Sequence, residues 1–308
     1  IFIINKSFNV TVIARNSKIK CKHQIDLDNI QAASNIFNFL LKIFKTFKRK
    51  NAKYLIISVT PYTFFSSIFL LIFKKKYFIY LRSDGYEEYK SIFGIIGPLI
   101  YHTMFKVVTL KAKVISCQAR LFSFDKSAIV SPSELDQSWE RNVKDAPLNK
   151  VKLLYVGRVK VEKGIFSLLK ILDEMKIDYQ LSIVGKQEGT KVSNKKISFI
   201  GYGFNSLQLI EIYDEHNISI LPSFTEAHPK VIDESLVRMR PVIIFDEILH
   251  VVKNKKGIFV SERNAESLTK TIKFIMENYK NIKENMAENK LPTKKEFILQ
   301  MNKILDLN

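Results

Sequence analysis

Cysteine is nearly absent from this chain of 308 residues: Cys21 and Cys117 are the only two, with no CxxC pair and no Cys/His cluster at metal spacing. Neither a disulfide framework nor a structural zinc site is indicated, and a reducing, cytoplasmic setting fits. Glycine is scarce, ten residues in all, and none precedes Gly85. No apolar run is long. The most apolar, TFFSSIFLLIF at residues 63–73, falls far short of the roughly 20 residues a membrane-crossing helix needs, so it reads as a buried helix. Acidic residues are outnumbered, 30 Asp and Glu against 49 Lys and Arg, which leaves a net charge of +19. That excess suits an anionic partner such as a nucleotide, a membrane surface or a nucleic acid, and is equally what a composition biased towards Lys, Asn, Ile and Phe produces. The opening IFIINKSF lacks a methionine and a signal-like basic region, and a chain incomplete or processed at its N-terminus is expected.

What is present describes a globular protein: 46% hydrophobic and 26% charged residues, over a length sufficient for two domains with their own cores. Apolar, β-rich runs alternate with helix-period stretches in both halves, the pattern of α/β architecture with parallel sheets. YLIIS at residues 54–58 and YFIYLR at 77–82 flank a helical stretch over 62–73, a βαβ unit. Residues 139–150, polar and containing Pro147, read as an interdomain linker.

Two stretches carry chemistry. LPSFTEAHPKVIDESLVRMRP at residues 221–241 follows the buried-strand pattern ISIL and places Glu226 just ahead of a helix and Glu234 about one turn inside it. Pro229 suits the first turn, and Ile232, Leu236 and Met239 share one helical face. The N–H groups of His228, Lys230 and Val231 would then face outwards from a helix N-terminus, a ready site for phosphate or sugar oxygens. VKLLYVGRVKVEKG at 151–164 is a second apolar strand, ending at Gly157 and followed by Arg158, Lys163 and Gly164.

Taken together, G-R-x3-E-K-G and, about sixty residues on, P-S-x2-E-x7-E-x6-P resemble the retaining "group 1" (family four) glycosyltransferases. The resemblance implies the GT-B fold: two doubly wound Rossmann-like domains facing across a cleft, here residues 1–148 on the acceptor side and 149–308 on the nucleotide-sugar side, with the last helix packing back on the first domain. It implies that Arg158 and Lys163 hold the donor diphosphate, that Glu226 contacts the transferred sugar, and that Glu234 binds the ribose hydroxyls. Cations answer the charge of a leaving diphosphate, and a carboxylate suits a vicinal diol. Gly157, Gly164, Gly185, Ile200, Gly201, Ala227, His228, Pro229, Lys230 and Val231 complete the implied donor contacts. No cofactor is implied beyond the nucleotide-diphosphate sugar as co-substrate.

The first half matches by pattern alone. The family's first strand and glycine loop, expected before the strand at residues 8–15, are missing here. Asp84 stands where relatives carry a histidine facing the acceptor, and either handles the acceptor's proton or caps a turn. Asp26 and Asp28 form a D-x-D triplet that reads as a polar turn in preference to a metal pair. The stretch 31–50 puts Ile36, Leu40, Ile43 and Phe47 on one helical face with Lys42, Lys45, Lys48, Arg49 and Lys50 beside it or at its end. This is a core helix with a basic C-terminus or a surface for anionic lipid. Ala227 and Met239 replace family glycines and narrow the approach of backbone to sugar.

The expected activity is metal-independent, retaining transfer of a sugar from a nucleotide donor to a lipid-linked glycan or polysaccharide, at or near the inner face of the plasma membrane. A catalytically silent nucleotide-sugar-binding subunit is the alternative. Nucleic acid is not expected as a partner, because the basic residues are spread through the chain and no common binding motif is evident.

Overall fold

The computed structural model describes residues 9–16, 29–117, 127–186 and 194–306. They fall into two compact units, Ile1–Pro132 with Lys295–Asn308, and Ser133–Lys294.

The first unit opens with β1 (Val12–Arg15) and β2 (Ile30–Ala33), a parallel pair. Asn35 caps the next helix, α1 (Ile36–Thr46), by accepting from Asn38 N. After β3 (Tyr54–Ile57), Thr60 and Thr63 form a capping box around Pro61, the first residue of α2 (Pro61–Ile72). Next come β4 (Tyr77–Leu81), buried along its whole length, α3 (Gly85–Phe93), α4 (Gly97–Thr109), β5 (Lys113–Ser116) and β6 (Ser127–Ile129). Strands β3, β4, β5 and β6 form a parallel sheet in that order. A cavity of about 800 Å³, lined by residues of β1, α1 and β3, separates the β1–β2 pair from this sheet. The facing edges of β1 and β3 have no strand partner among the described residues.

The second unit has α5 (Gln137–Glu140), β7 (Val151–Val156), α6 (Ile165–Glu174), β8 (Tyr179–Val184), β9 (Ile197–Gly201), α7 (Ser206–Asp214), β10 (Ile218–Leu221), α8 (Lys230–Val237), β11 (Val242–Phe245), β12 (Ile258–Ser261), α9 (Ala265–Glu277) and α10 (Tyr279–Met286). Its six-stranded parallel sheet has the order β12-β11-β10-β7-β8-β9. The chain winds outwards from β7 on one side and from β10 on the other, so the order reverses between them. Open α/β sheets bind ligands at the carboxyl ends of the strands beside such a switch point. Leu153, Tyr155, Ile183, Ile220 and Ile243 form the buried floor beneath it.

The last helix, α11 (Lys294–Asp306), sets Phe297, Met301 and Leu305 against Phe78, Tyr80 and Ile115 of the first unit. The division between the units falls at Pro132/Ser133, sixteen residues before the boundary read from the sequence. The polar stretch that reads as a linker is tied into the second unit: Arg238 donates to the carbonyls of Trp139 (2.8 Å), Arg141 (2.8 Å) and Asn142 (3.0 Å), and Arg240 to that of Lys144 (3.0 Å). Both guanidinium groups are buried against Asp214. Polar composition there serves buried backbone hydrogen bonds, which a reading of local sequence takes for solvation. Asn205 caps α7, its side chain accepting from Gln208 N while the Gln208 side chain accepts from Asn205 N.

Candidate functional site

The site is assembled at the carboxyl ends of β7 and β10. After β7 the chain passes Gly157 and Arg158, makes one short helical turn over Val161–Lys163, and enters α6 through Gly164, whose φ of +66° is left-handed. A Cβ on Gly164 would lie 1.8 Å from the Pro222 carbonyl oxygen. Glycine is therefore needed twice over, for the backbone angle and for close approach to the end of β10. That approach carries Lys163 to the loop after β10, where its Nζ meets Glu226 Oε1 at 2.5 Å. Ser223 Oγ donates to the same oxygen at 2.7 Å, and Phe224 N donates to the Glu162 carbonyl at 3.1 Å.

Glu226 is held from a third side. His250 Nε2 donates to its carbonyl oxygen at 2.7 Å, which fixes the imidazole proton on that nitrogen. Arg263 donates to the Pro222 carbonyl at 3.1 Å, pairs with Glu247, and lies over the rings of Phe224 and Phe245. Sequence reasoning missed Ser223, His250 and Arg263 as supports. Ser223 lies inside the motif itself, and His250 in the lysine-rich loop 249–257, so only their distance in sequence from Glu226 or the absence of a motif role concealed them.

α8 begins at Lys230, with Pro229 at its cap position and no capping side chain. Its first N–H groups are thus available to an anion. Glu234, in its second turn, is buried. Tyr213 Oη donates to its Oε2 at 3.1 Å, and no described residue engages Oε1. Burial pushes the Glu234 carboxyl up to about 6, partly offset by the Tyr213 hydrogen bond and the charge of Lys230. Lys230 itself reaches Glu134 at 2.8 Å. His228 lies with Nε2 3.6 Å from the buried Asp233, whose other oxygen pairs with Lys255.

A row of glycines forms the floor on the far side of β7. Gly157 N donates to Val184 O and Gly185 N to Gly201 O, at 2.9 and 2.8 Å, and a Cβ on Gly185 would strike the Gly157 carbonyl at 2.1 Å. β9, with Ile200 exposed at its end, lies three strands from β10, about 14 Å across the sheet. The structure thus brings Lys163 and Glu226 into contact and sets Glu234 one helix turn away. It leaves Arg158 exposed, 3.8 Å from Glu162, and separate from the two glutamates' partners.

One expectation changes and one is filled in part. Asp84 caps α3, its Oδ1 accepting from Tyr86 N at 3.0 Å and Glu87 N at 3.4 Å, the capping one of its two expected roles. Met239 does not narrow the sugar's approach. With φ +56° it ends α8 in a Schellman motif, Arg240 N to Ser235 O and Met239 N to Leu236 O, both 3.0 Å. This is the helix end opposite the site, about 12 Å along the axis. A glycine is favoured there by its backbone angle, independently of the sugar. Ala227 does lie in the loop beside Glu226 and is buried. Asp26 and Asp28 lie outside the described residues, and among those described no group of three or more metal-ligating side chains converges.

A cation paired with a carboxylate at a glycine-lined turn, an uncapped helix N-terminus and a buried carboxylate with one open oxygen are the elements of a site for a phosphorylated, hydroxyl-bearing ligand. The family model for group 1 glycosyl transferases matches residues 136–293, and the chain belongs to that family. A Bacillus subtilis (strain 168) protein assigned as the teichuronic acid biosynthesis glycosyltransferase TuaC is 24% identical over 128 residues, 41% of this chain. That match spans a third, 33%, of the relative's length. Among solved structures, sucrose-phosphate synthase from Thermosynechococcus elongatus superposes with a TM-score of 0.70 at 16% identity, over 99% of this chain and 90% of that one. Anabaena HepE in complex with UDP and glucose gives 0.68 at 13% identity, over 88% and 81%. The fold is that of the GT-B glycosyltransferases.

Proposed function

We propose that the chain transfers a sugar, with retention of anomeric configuration and without a metal ion, from a nucleotide-diphosphate donor to a lipid-linked or polysaccharide acceptor at an anionic membrane surface. The observation that carries this reading is the contact of Lys163 with Glu226 beside the open N-terminus of α8. In the free protein each neutralises the other. A bound diphosphate draws the Lys163 ammonium and Arg158 to itself, while Glu226 turns to the hydroxyls of the transferred sugar. Glu234 Oε1 accepts from the ribose. When the glycosidic bond breaks, the electron pair goes to the diphosphate, whose growing charge the two cations and the helix N-terminus stabilise. The departing phosphate, on the same face, takes the proton of the attacking hydroxyl. The assignment of TuaC to teichuronic acid biosynthesis supports the acceptor class.

A panel of nucleotide sugars screened by thermal shift identifies the donor, since a ligand at a hundred times its Kd adds about 2.7 kcal/mol of stability. With that donor, transfer persists in EDTA, and Arg158→Ala and Lys163→Ala each lower turnover about a hundredfold, the loss of about 3 kcal/mol of transition-state stabilisation. Wild-type turnover in both variants would overturn the assignment. Donor binding without hydrolysis or transfer would make the chain a silent binding subunit.

A further inference from the structure

Residues 29–116 hold fourteen Lys and Arg but only three Asp and Glu. The three acidic residues, Asp84, Glu87 and Glu88, all lie at the start of α3, beyond the carboxyl end of β4. The basic residues concentrate at the opposite edge. There α1 ends in Lys45, Lys48, Arg49 and Lys50, α2 runs into Lys74, Lys75 and Lys76, and α4 ends between Lys106 and Lys111. Contacts to the first residues of the strands place all three helix ends at the sheet's amino-terminal edge. Thr46 Oγ1 lies 3.1 Å from Tyr54 Oη, Lys74 to Lys76 lead directly into Tyr77, and Tyr77 Oη donates to the Val108 carbonyl at 2.9 Å.

Large apolar side chains stand exposed among these cations: Phe44 on α1, Ile72 and Phe73 at the end of α2, and Leu110 after α4, the last 71% exposed. The phenylalanines among them pack on other rings. Phe44, Phe47, Phe69 and Phe73 pack ring on ring between α1 and α2, with Phe44 to Phe73 centroids 5.5 Å apart, and Lys75 lies over Phe47. Cations at helix C-termini are explained by the helix dipole alone. Exposed phenylalanine and isoleucine between them are not, because they forgo burial.

We propose that this edge, where α1, α2 and α4 end, docks on an anionic lipid bilayer, with the lysines against the headgroups and Phe44, Ile72, Phe73 and Leu110 in the acyl boundary. Charge complementarity selects the occupant: a second copy of this chain would bring the same basic edge against itself. No described helix is long and apolar enough to cross a membrane, so the contact is interfacial. The surface lies at the sheet edge opposite the carboxyl ends of the strands, and docking leaves those ends open. The inference specifies the membrane contact within the proposed function. Its assay uses neither donor nor acceptor, so its failure and a failure of transfer activity are separately visible.

The test is co-sedimentation with vesicles of phosphatidylcholine alone and with added phosphatidylglycerol, across a salt series. Trp139, the one tryptophan, is buried, so Phe73→Trp supplies an exposed fluorescent reporter. The expected result is binding to the anionic vesicles only, a blue-shifted and bromolipid-quenched signal from that reporter, and at least about tenfold weaker binding for the double variant Ile72→Ser, Phe73→Ser. Lys45→Gln with Lys48→Gln should weaken binding while leaving quenching of the bound fraction intact. Equal binding to both vesicles, none to either, or anionic binding without quenching would overturn the proposal. So would Ile95→Ser, at the turn between α3 and α4, being the variant that loses binding, or self-association that the Ser variants abolish.

Discussion

Glu234 is a carboxyl held where its charge is disfavoured, and this sets stability against ligand binding at one residue. Its folded value, raised by burial to about 6 from 4.5, means that the native state prefers the protonated form. The stabilisation from this group is complete below about pH 4.5 and is lost as the pH rises through 6; the ionised form then costs on the order of 2 kcal/mol. A ribose diol needs the opposite form, because only the carboxylate accepts with both oxygens. Glu234→Gln is therefore expected to gain stability over the parent most at pH 7.5, with the difference closing towards pH 4.5 in thermal unfolding. Donor affinity of the parent should improve from pH 5 to 7, and the variant should lack that improvement. A stability difference constant across the range would show that Glu234 does not titrate as described.

Among the elements, two left-handed residues bracket the two functional loops and differ in what surrounds them. Gly164 faces the Pro222 carbonyl at a distance no side chain tolerates, whereas Met239 holds φ +56° at a helix end with its side chain partly buried. Gly164→Ala is expected to force the β7–α6 turn away from β10, break the Lys163–Glu226 contact, raise the donor KM and cost more than about 1 kcal/mol. Met239→Gly relieves the angle but loses packing, and should change stability by no more than about 1 kcal/mol. Chemical denaturation of both, with donor titration, is the check; a harmless Gly164→Ala would mean the turn has slack that the close contact denies.

The whole molecule is two units whose separate cores are joined by chain on both sides of Ser133–Lys294. Within that unit Arg238 makes a two-bond pair with Asp214, at 3.0 and 2.6 Å, and both side chains are buried. Replacing Arg238 with Ala removes both of the Asp214 carboxylate's short bonds, leaving it only Arg240 at 3.7 Å, and strands three backbone carbonyls, a loss of about 3–5 kcal/mol. Lysine does not substitute for the planar fork. In calorimetry, Arg238→Ala should lower a transition belonging to the second unit and leave that of the first in place. A single transition moving as one would instead mean that the two cores unfold together.

Whatever depends on short-range pattern is legible in the chain before it folds. The alternation of apolar runs with helix-period stretches gives parallel sheets, because each such run must be buried on both faces by flanking helices. The spacing from Glu226 to Glu234 puts one carboxylate before a helix and the other within it, since a helix repeats every 3.6 residues. Gly157 and Gly185 stand out as strand-end glycines, and Gly164 as the residue that opens a helix, where side chains are excluded. Whatever requires distant residues to meet is settled by packing alone. Lys163 finds Glu226 only because Gly164 lets two loops touch, and His250 reaches the Glu226 carbonyl from beyond β11. The stretch from 133 to 148 belongs to the second unit because Arg238 and Arg240 bind its carbonyls, a use of polar backbone that composition cannot separate from solvent exposure. The rings of α1 and α2 are apolar by sequence, but the packing of the two helices decides which of them face inwards and which are left at the surface, because a side chain's burial depends on what lies opposite it.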